Sequence, residues 1–126
     1  MRAVDTNVIV RLAIRDDAEQ VAVAEAYIAG GAWVSLLALA EMAWVLQVTY
    51  QRSPSAIAGT VDMLLQLEQL TLQDADAVAA ALEHYRRKPA LGFTDCLILE
   101  IGRKAGHIPL GTFDRDLAKL AGAQRL

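Results

Sequence analysis

Cysteine, aromatic residues and surplus positive charge are all scarce in this chain. The single cysteine, Cys96, excludes an internal disulfide. One Cys and two His cannot close a zinc site, which needs four nitrogen or sulfur ligands. A reducing, cytoplasmic setting is expected. The most apolar stretch, Leu36 to Tyr50, is too short to span a bilayer, and the opening MRAVDTNVIVRL carries carboxylate and amide groups inside its apolar run. Neither a signal peptide nor a membrane partner is expected. With 12 Lys and Arg against 15 Asp and Glu, the formal net charge is −3, which at face value opposes a nucleic-acid partner. If four of those 15 acids sit on divalent metal, eleven remain to face 12 bases, and the objection lapses.

What is present is aliphatic. The chain is 55% hydrophobic but only 6% aromatic, so its core is built from Ala, Leu, Val and Ile. At 126 residues it fits one domain burying roughly two thirds of its unfolded surface. No repeat, low-complexity segment or linker divides it.

Strand-length apolar runs alternate with stretches of helical period. A short strand, Arg2 to Asp5, leads into a helix at Val8 to Ile14, with Thr6 and Asn7 as cap types. A second helix runs from Asp17 to Ala29, with Asp17 and Gln20 resembling a capping box and Gly30-Gly31 as the left-handed stop. Trp33 to Ser35 reads as a strand. Leu36 to Tyr50 reads as a helix buried on most sides. Ser53-Pro54 starts an amphipathic helix to Leu67. Leu70 to Leu72 fits a strand, and Asp74 opens a helix to Arg87, stopped by Pro89. Thr94 or Asp95 opens a helix to Lys104, ended by Gly106. Ile108 to Thr112 forms a strand, Asp114 begins a short helix, and Ala123 to Leu126 can add an edge strand. This alternation specifies an α/β domain with a mostly parallel sheet covered by helices.

Ligands of such sheets bind at the carboxyl ends of the strands. Four acids fall there. Asp5 ends the first strand, Glu41 lies in the early turns after the second, Asp95 opens a helix, and Asp114 follows Thr112. Four unpaired carboxylates at close range raise one another's pKa, so the cluster needs a counter-charge. A hard divalent cation, Mg2+ or Mn2+, takes oxygen ligands and activates water against a phosphodiester. Each acid has a plainer explanation too. Asp95 and Asp114 could simply cap helices, and Asp5 could turn the chain. Glu41 is harder to explain that way, because its helical neighbours Leu37, Trp44 and Val45 are apolar. Between Asp114 and Asp116 the first is preferred, since residues two apart on a helix diverge by roughly 200°, but an extended turn would let Asp116 join as an additional acid, with one of the two binding metal through water.

The segments VDTNVIV, LLALAEMAWVL, GFTDCLIL and GTFDRDL resemble, in order and spacing, the four acidic motifs of PIN domains, most of all the VapC-type toxins of toxin–antitoxin pairs. The likeness covers essentially the whole chain. It implies a three-layer α/β/α fold and a metal-dependent endoribonuclease. The metal ligands would be Asp5, Glu41, Asp95 and Asp114, with Thr6, Asn7 and Thr112 as polar support. It also implies a homodimer, an RNA substrate and an antitoxin partner.

Other candidates have ordinary roles. Cys96 reads as a small buried residue, His84 and His107 as surface residues, and Trp33 and Trp44 as core or interface anchors. Arg86-Arg87-Lys88 reads as a solvated helix end, though a basic run can also touch RNA phosphates. Three rival functions compete. A magnesium-binding receiver domain would need paired acids after the first strand, where Thr6 and Asn7 stand, and a lysine after the last. A haloacid-dehalogenase-type phosphatase needs an acid where Asn7 lies. A PIN fold could also act only as an inert binding module.

Overall fold

Polar residues end every strand of the first half almost as soon as it forms. In the computed structural model, which describes residues 1–126, the chain gathers into two units, residues 1–75 and 76–126. The first holds strands β1 (Arg2–Val4), β2 (Ala32–Val34) and β3 (Leu70–Leu72), and helices α1 (Thr6–Ile14), α2 (Ala18–Ile28), α3 (Leu36–Val48) and α4 (Pro54–Gln66). The strands pair in parallel in the order β1-β2-β3, with Val4 opposite Val34 and Val34 opposite Leu72.

Caps set the helix starts. Asp17 accepts from Gln20 N at 3.1 Å, Ser35 from Ala38 N at 3.1 Å and Ser53 from Ala56 N at 3.1 Å, with Pro54 in the first turn. Gly31, at φ +99°, supplies the left-handed turn between α2 and β2. Ile9, Val34, Leu39, Met42, Leu46, Val61 and Leu64 are essentially inaccessible and form the core of this unit.

Helix α3 departs from the expectation of burial on most sides. Ala38, Leu39, Met42, Ala43 and Leu46 are buried, but Leu37, Trp44 and Val48 on the opposite face are 78%, 59% and 53% exposed. The reason is that both faces are apolar, so periodicity could not distinguish the packed side from the open one.

The second unit carries most of α5 (Ala75–Arg87), then α6 (Phe93–Lys104), β4 (Leu110–Thr112) and β5 (Ala123–Arg125), with 3-10 turns at Pro89–Leu91 and Leu117–Lys119. β4 and β5 pair in parallel, Thr112 opposite Arg125. β4 begins later than expected, at Leu110, because Pro109 has no N–H to give a ladder. Tyr85 of α5 meets Phe93 of α6 edge to face at 5.9 Å. The fold is α/β and every strand pair is parallel, in ladders of three and two strands. No helix is long and apolar enough to cross a membrane.

Leu64 and Leu37 are the same residue type at opposite extremes of burial. Leu64→Ala should cost about 2 to 5 kcal/mol in denaturant unfolding. Leu37→Ala should change stability by no more than about 0.5 kcal/mol at concentrations where the chain is monomeric. Equal losses would show that the face of α3 carrying Leu37 is covered in solution.

Candidate active site

Asp5 is the first residue beyond β1 and caps α1: its Oδ1 accepts from Val8 N at 3.3 Å. The cap is therefore Asp5 and not Thr6 or Asn7, which both lie inside the helix. A long bond to one oxygen leaves Oδ2 available. Asp5 and Asn7 border a groove of 780 Å³ between α1 and α2, walled by Val8, Val23 and Tyr27 and edged by Arg11. Arg11 is turned aside by Asp16 at 2.8 Å.

Glu41 sits in the second turn of α3 and is exposed, with no ion pair. Its apolar neighbours call for a partner or a water-filled cleft; it has no ion pair and stands in water, with Leu37 and Trp44 also exposed beside it. A solvated carboxylate needs no protein partner. The start of α3 is held by Gln73, which sequence reasoning passed over. Gln73 N donates to Val34 O at 2.8 Å, and its Oε1 accepts from Leu36 N at 2.9 Å. One residue, through its backbone and its side chain, thus ties the ends of β2 and β3 to the first turn of α3. Nothing in the sequence distinguishes it from a surface glutamine.

In the second unit, Asp95 is the third residue of α6. Gly92, at φ +81°, occupies the cap position without a side-chain bond, so the helix opens two residues before Asp95 and the carboxylate is not its cap. Burial pushes the Asp95 carboxyl above its usual range, and the nearby charge of Asp114 pushes it further. No base pairs with it. Asp114 does cap its turn: Oδ1 accepts from Asp116 N at 2.8 Å and Leu117 N at 2.9 Å, while Asp114 N donates to Thr112 Oγ1 at 3.0 Å. Asp116 is engaged elsewhere, 2.9 Å from Lys88 Nζ and 3.6 Å from Lys119 Nζ, and Lys88 chiefly holds its carboxyl below the usual range.

The one buried charged side chain is Glu100, which sequence reasoning did not single out. Arg103 Nε donates to both its oxygens, at 3.2 and 3.1 Å, and His84 Nε2 lies 3.4 Å away. His84 is accordingly half-buried and not the surface residue expected, whereas His107 is exposed. Cys96 is fully buried, and burial above all, then Asp95 and Glu100, pushes its thiol up to about 11. It stays protonated and is no nucleophile. Of the basic run, Arg87 pairs with Glu83 at 3.2 Å and Lys88 with Asp116. Trp33 is half-buried and Trp44 exposed.

As the side chains stand, no three Asp, Glu, His or Cys groups are gathered closely enough to enclose an ion. The available donors still match a hard cation. Asp5, Glu41, Asp95 and Asp114 offer only carboxylate oxygen, the donor type of Mg2+ and Mn2+, and the Asp95 and Asp114 charges repel with no base between them. A raised folded-state pKa means the native state gains stability as pH falls through that pKa and loses it above. In chelator at neutral pH, Asp95→Asn should therefore melt higher than the parent, and the gap should close near about pH 4. A lower melting temperature for the Asn variant at both pH values would make Asp95 a structural acid.

The PIN domain family model matches residues 2–123. Among solved structures, the chain is similar to the Mycobacterium tuberculosis VapC20 toxin, a sarcin-ricin loop cleaving toxin, at 20% identity over 98% of each chain with a TM-score of 0.44. No curated protein matches. With the family model spanning nearly its whole length, the chain belongs to the PIN domain family.

Proposed function

We propose that this protein is a metal-dependent endoribonuclease that hydrolyses RNA phosphodiester bonds as the toxin of a toxin–antitoxin pair in the cytoplasm. Residues 1–126 act as one ribonuclease domain, consistent with a family model that runs through both units. The observation that carries the reading is the pair Asp95 and Asp114. These two mutually repelling carboxylates lack any basic partner, one of them in the first turn of a helix. Structural acids on this chain are treated otherwise: Asp116 has Lys88, Asp76 has Lys104 at 2.6 Å, and Glu100 has Arg103. An acid kept partly buried without a base is poised for a cation from solution.

In this reading Asp5, Glu41, Asp95 and Asp114 hold the ion. Thr112 fixes the backbone of Asp114, and Thr6 and Asn7 lend polar support beside Asp5. A bound Mg2+ or Mn2+ would supply a nucleophile from water at neutral pH and offset charge on the phosphate oxygens. Asp116, already neutralised by two lysines, has no such part. Hydrolysis of single-stranded RNA should stop in EDTA and in Asp5→Asn, Glu41→Gln and Asp114→Asn, and should continue in Asp116→Asn. Cleavage that survives EDTA would end the metal reading, and greater loss in Asp116→Asn than in Asp114→Asn would reverse the choice of acid.

We further propose a homodimer and a smaller antitoxin partner. The open apolar face of α3, with Leu37, Trp44 and Val48 on one stripe, and the groove between α1 and α2 are the surfaces that support this. Light scattering at micromolar concentration should give twice the chain mass. A monomer would count against the dimer.

A further inference from the structure

The two strands nearest Asp114 are three residues each, and a lone two-stranded ladder of that length does not hold itself in place. Something must anchor it. Helix α6 provides the anchor from its last turn, eight residues and about 12 Å along the axis from Asp95. There Arg103 Nη2 donates to the carbonyl of Ala121. Gly122 follows at φ +89°, and a Cβ built on it would stand 2.9 Å from both Nη1 and Nη2, so the backbone lies directly against the guanidinium. Gly122 O then accepts from Leu110 N at 2.8 Å, the first bond of the β4 and β5 ladder, and Leu126 N closes the far end on Thr112 O at 2.9 Å. Thr112 in turn holds Asp114 N. Glu100, with His84 behind it, fixes the guanidinium by taking Nε on both oxygens.

We propose that Arg103 is a positioning residue for the acidic site: by pinning the Ala121 and Gly122 turn to α6 it sets where Asp114 stands relative to Asp95. This rests on the reading of Asp95 and Asp114 as metal ligands. One helix thus carries a ligand in its first turn and, in its last, the clamp for the strand that presents a second ligand. The buried Glu100 holds the guanidinium through Nε while Nη2 reaches the turn, so Arg103 is fixed at two points.

The test is Mn2+ titration calorimetry on the full chain, at a temperature where every variant is folded, together with amide exchange at Leu110 and Leu126. Arg103→Met should weaken Mn2+ binding by about tenfold, the scale of groups that orient metal ligands, and should speed exchange at both amides. Arg103→Lys keeps a cation beside Glu100 but cannot hold Glu100 and the Ala121 carbonyl together, so it should fall between the two. It also carries the test should Arg103→Met fail to fold. Ala58→Gly, buried in α4 of the first unit, serves as a control for lost stability and should leave Mn2+ affinity unchanged. Parental affinity and exchange in both Arg103 variants, or an equal loss of affinity in Ala58→Gly, would overturn the proposal. A parent protein that binds no Mn2+ would instead overturn the ligand reading beneath it.

Discussion

β1 ends at Val4 and α1 begins at Thr6, so one residue must both turn the chain and satisfy the free amides of the new helix. Asp5 does so through Val8 N. The same economy recurs after β2, where Ser35 is the only residue between strand and helix. Because the strands are parallel and in register at Val4, Val34 and Leu72, these turns leave the sheet at one edge. Gln73 reinforces it by bonding to both Val34 and Leu36. The candidate residues of this unit depend on that arrangement, since a carboxylate obliged to cap a helix beside a strand end cannot move far from it.

Charge is handled differently from acid to acid in the second unit. Asp116 and Asp76 reach lysines and are held below the usual carboxylate range, while Asp95 is pushed upward by burial and by Asp114. Glu100 is buried more deeply than any of them and takes a two-oxygen contact from Arg103. Buried charge is tolerated where hydrogen bonds replace the lost water. By that rule Glu100 belongs to the framework, and Asp95 stands out as the acid whose environment the framework does not neutralise. Glu41 is exposed and without an ion pair, and its candidacy rests on the order of motifs.

Much was legible from the sequence because it depends on neighbours along the chain. Helix starts at Asp17, Ser53 and Asp74, the stop at Gly31 and the parallel character of the strands follow from caps, proline, positive-φ glycine and alternation, all local features. The acids Asp5, Glu41, Asp95 and Asp114 stand out by their positions at strand ends and early helical turns, again local. Which face of α3 is open and how Arg103 links Glu100 to Ala121 are not local. Those depend on elements far apart in sequence meeting, as Gln73 meets Leu36 across 37 positions and Arg103 meets Ala121 across 18. The sequence by itself determined the α/β alternation and the set of candidate carboxylates. Only tertiary structure decided which acids receive a basic partner, as Asp76, Glu100 and Asp116 do, and left those four without one, because a salt bridge requires two side chains to share a place that periodicity does not specify.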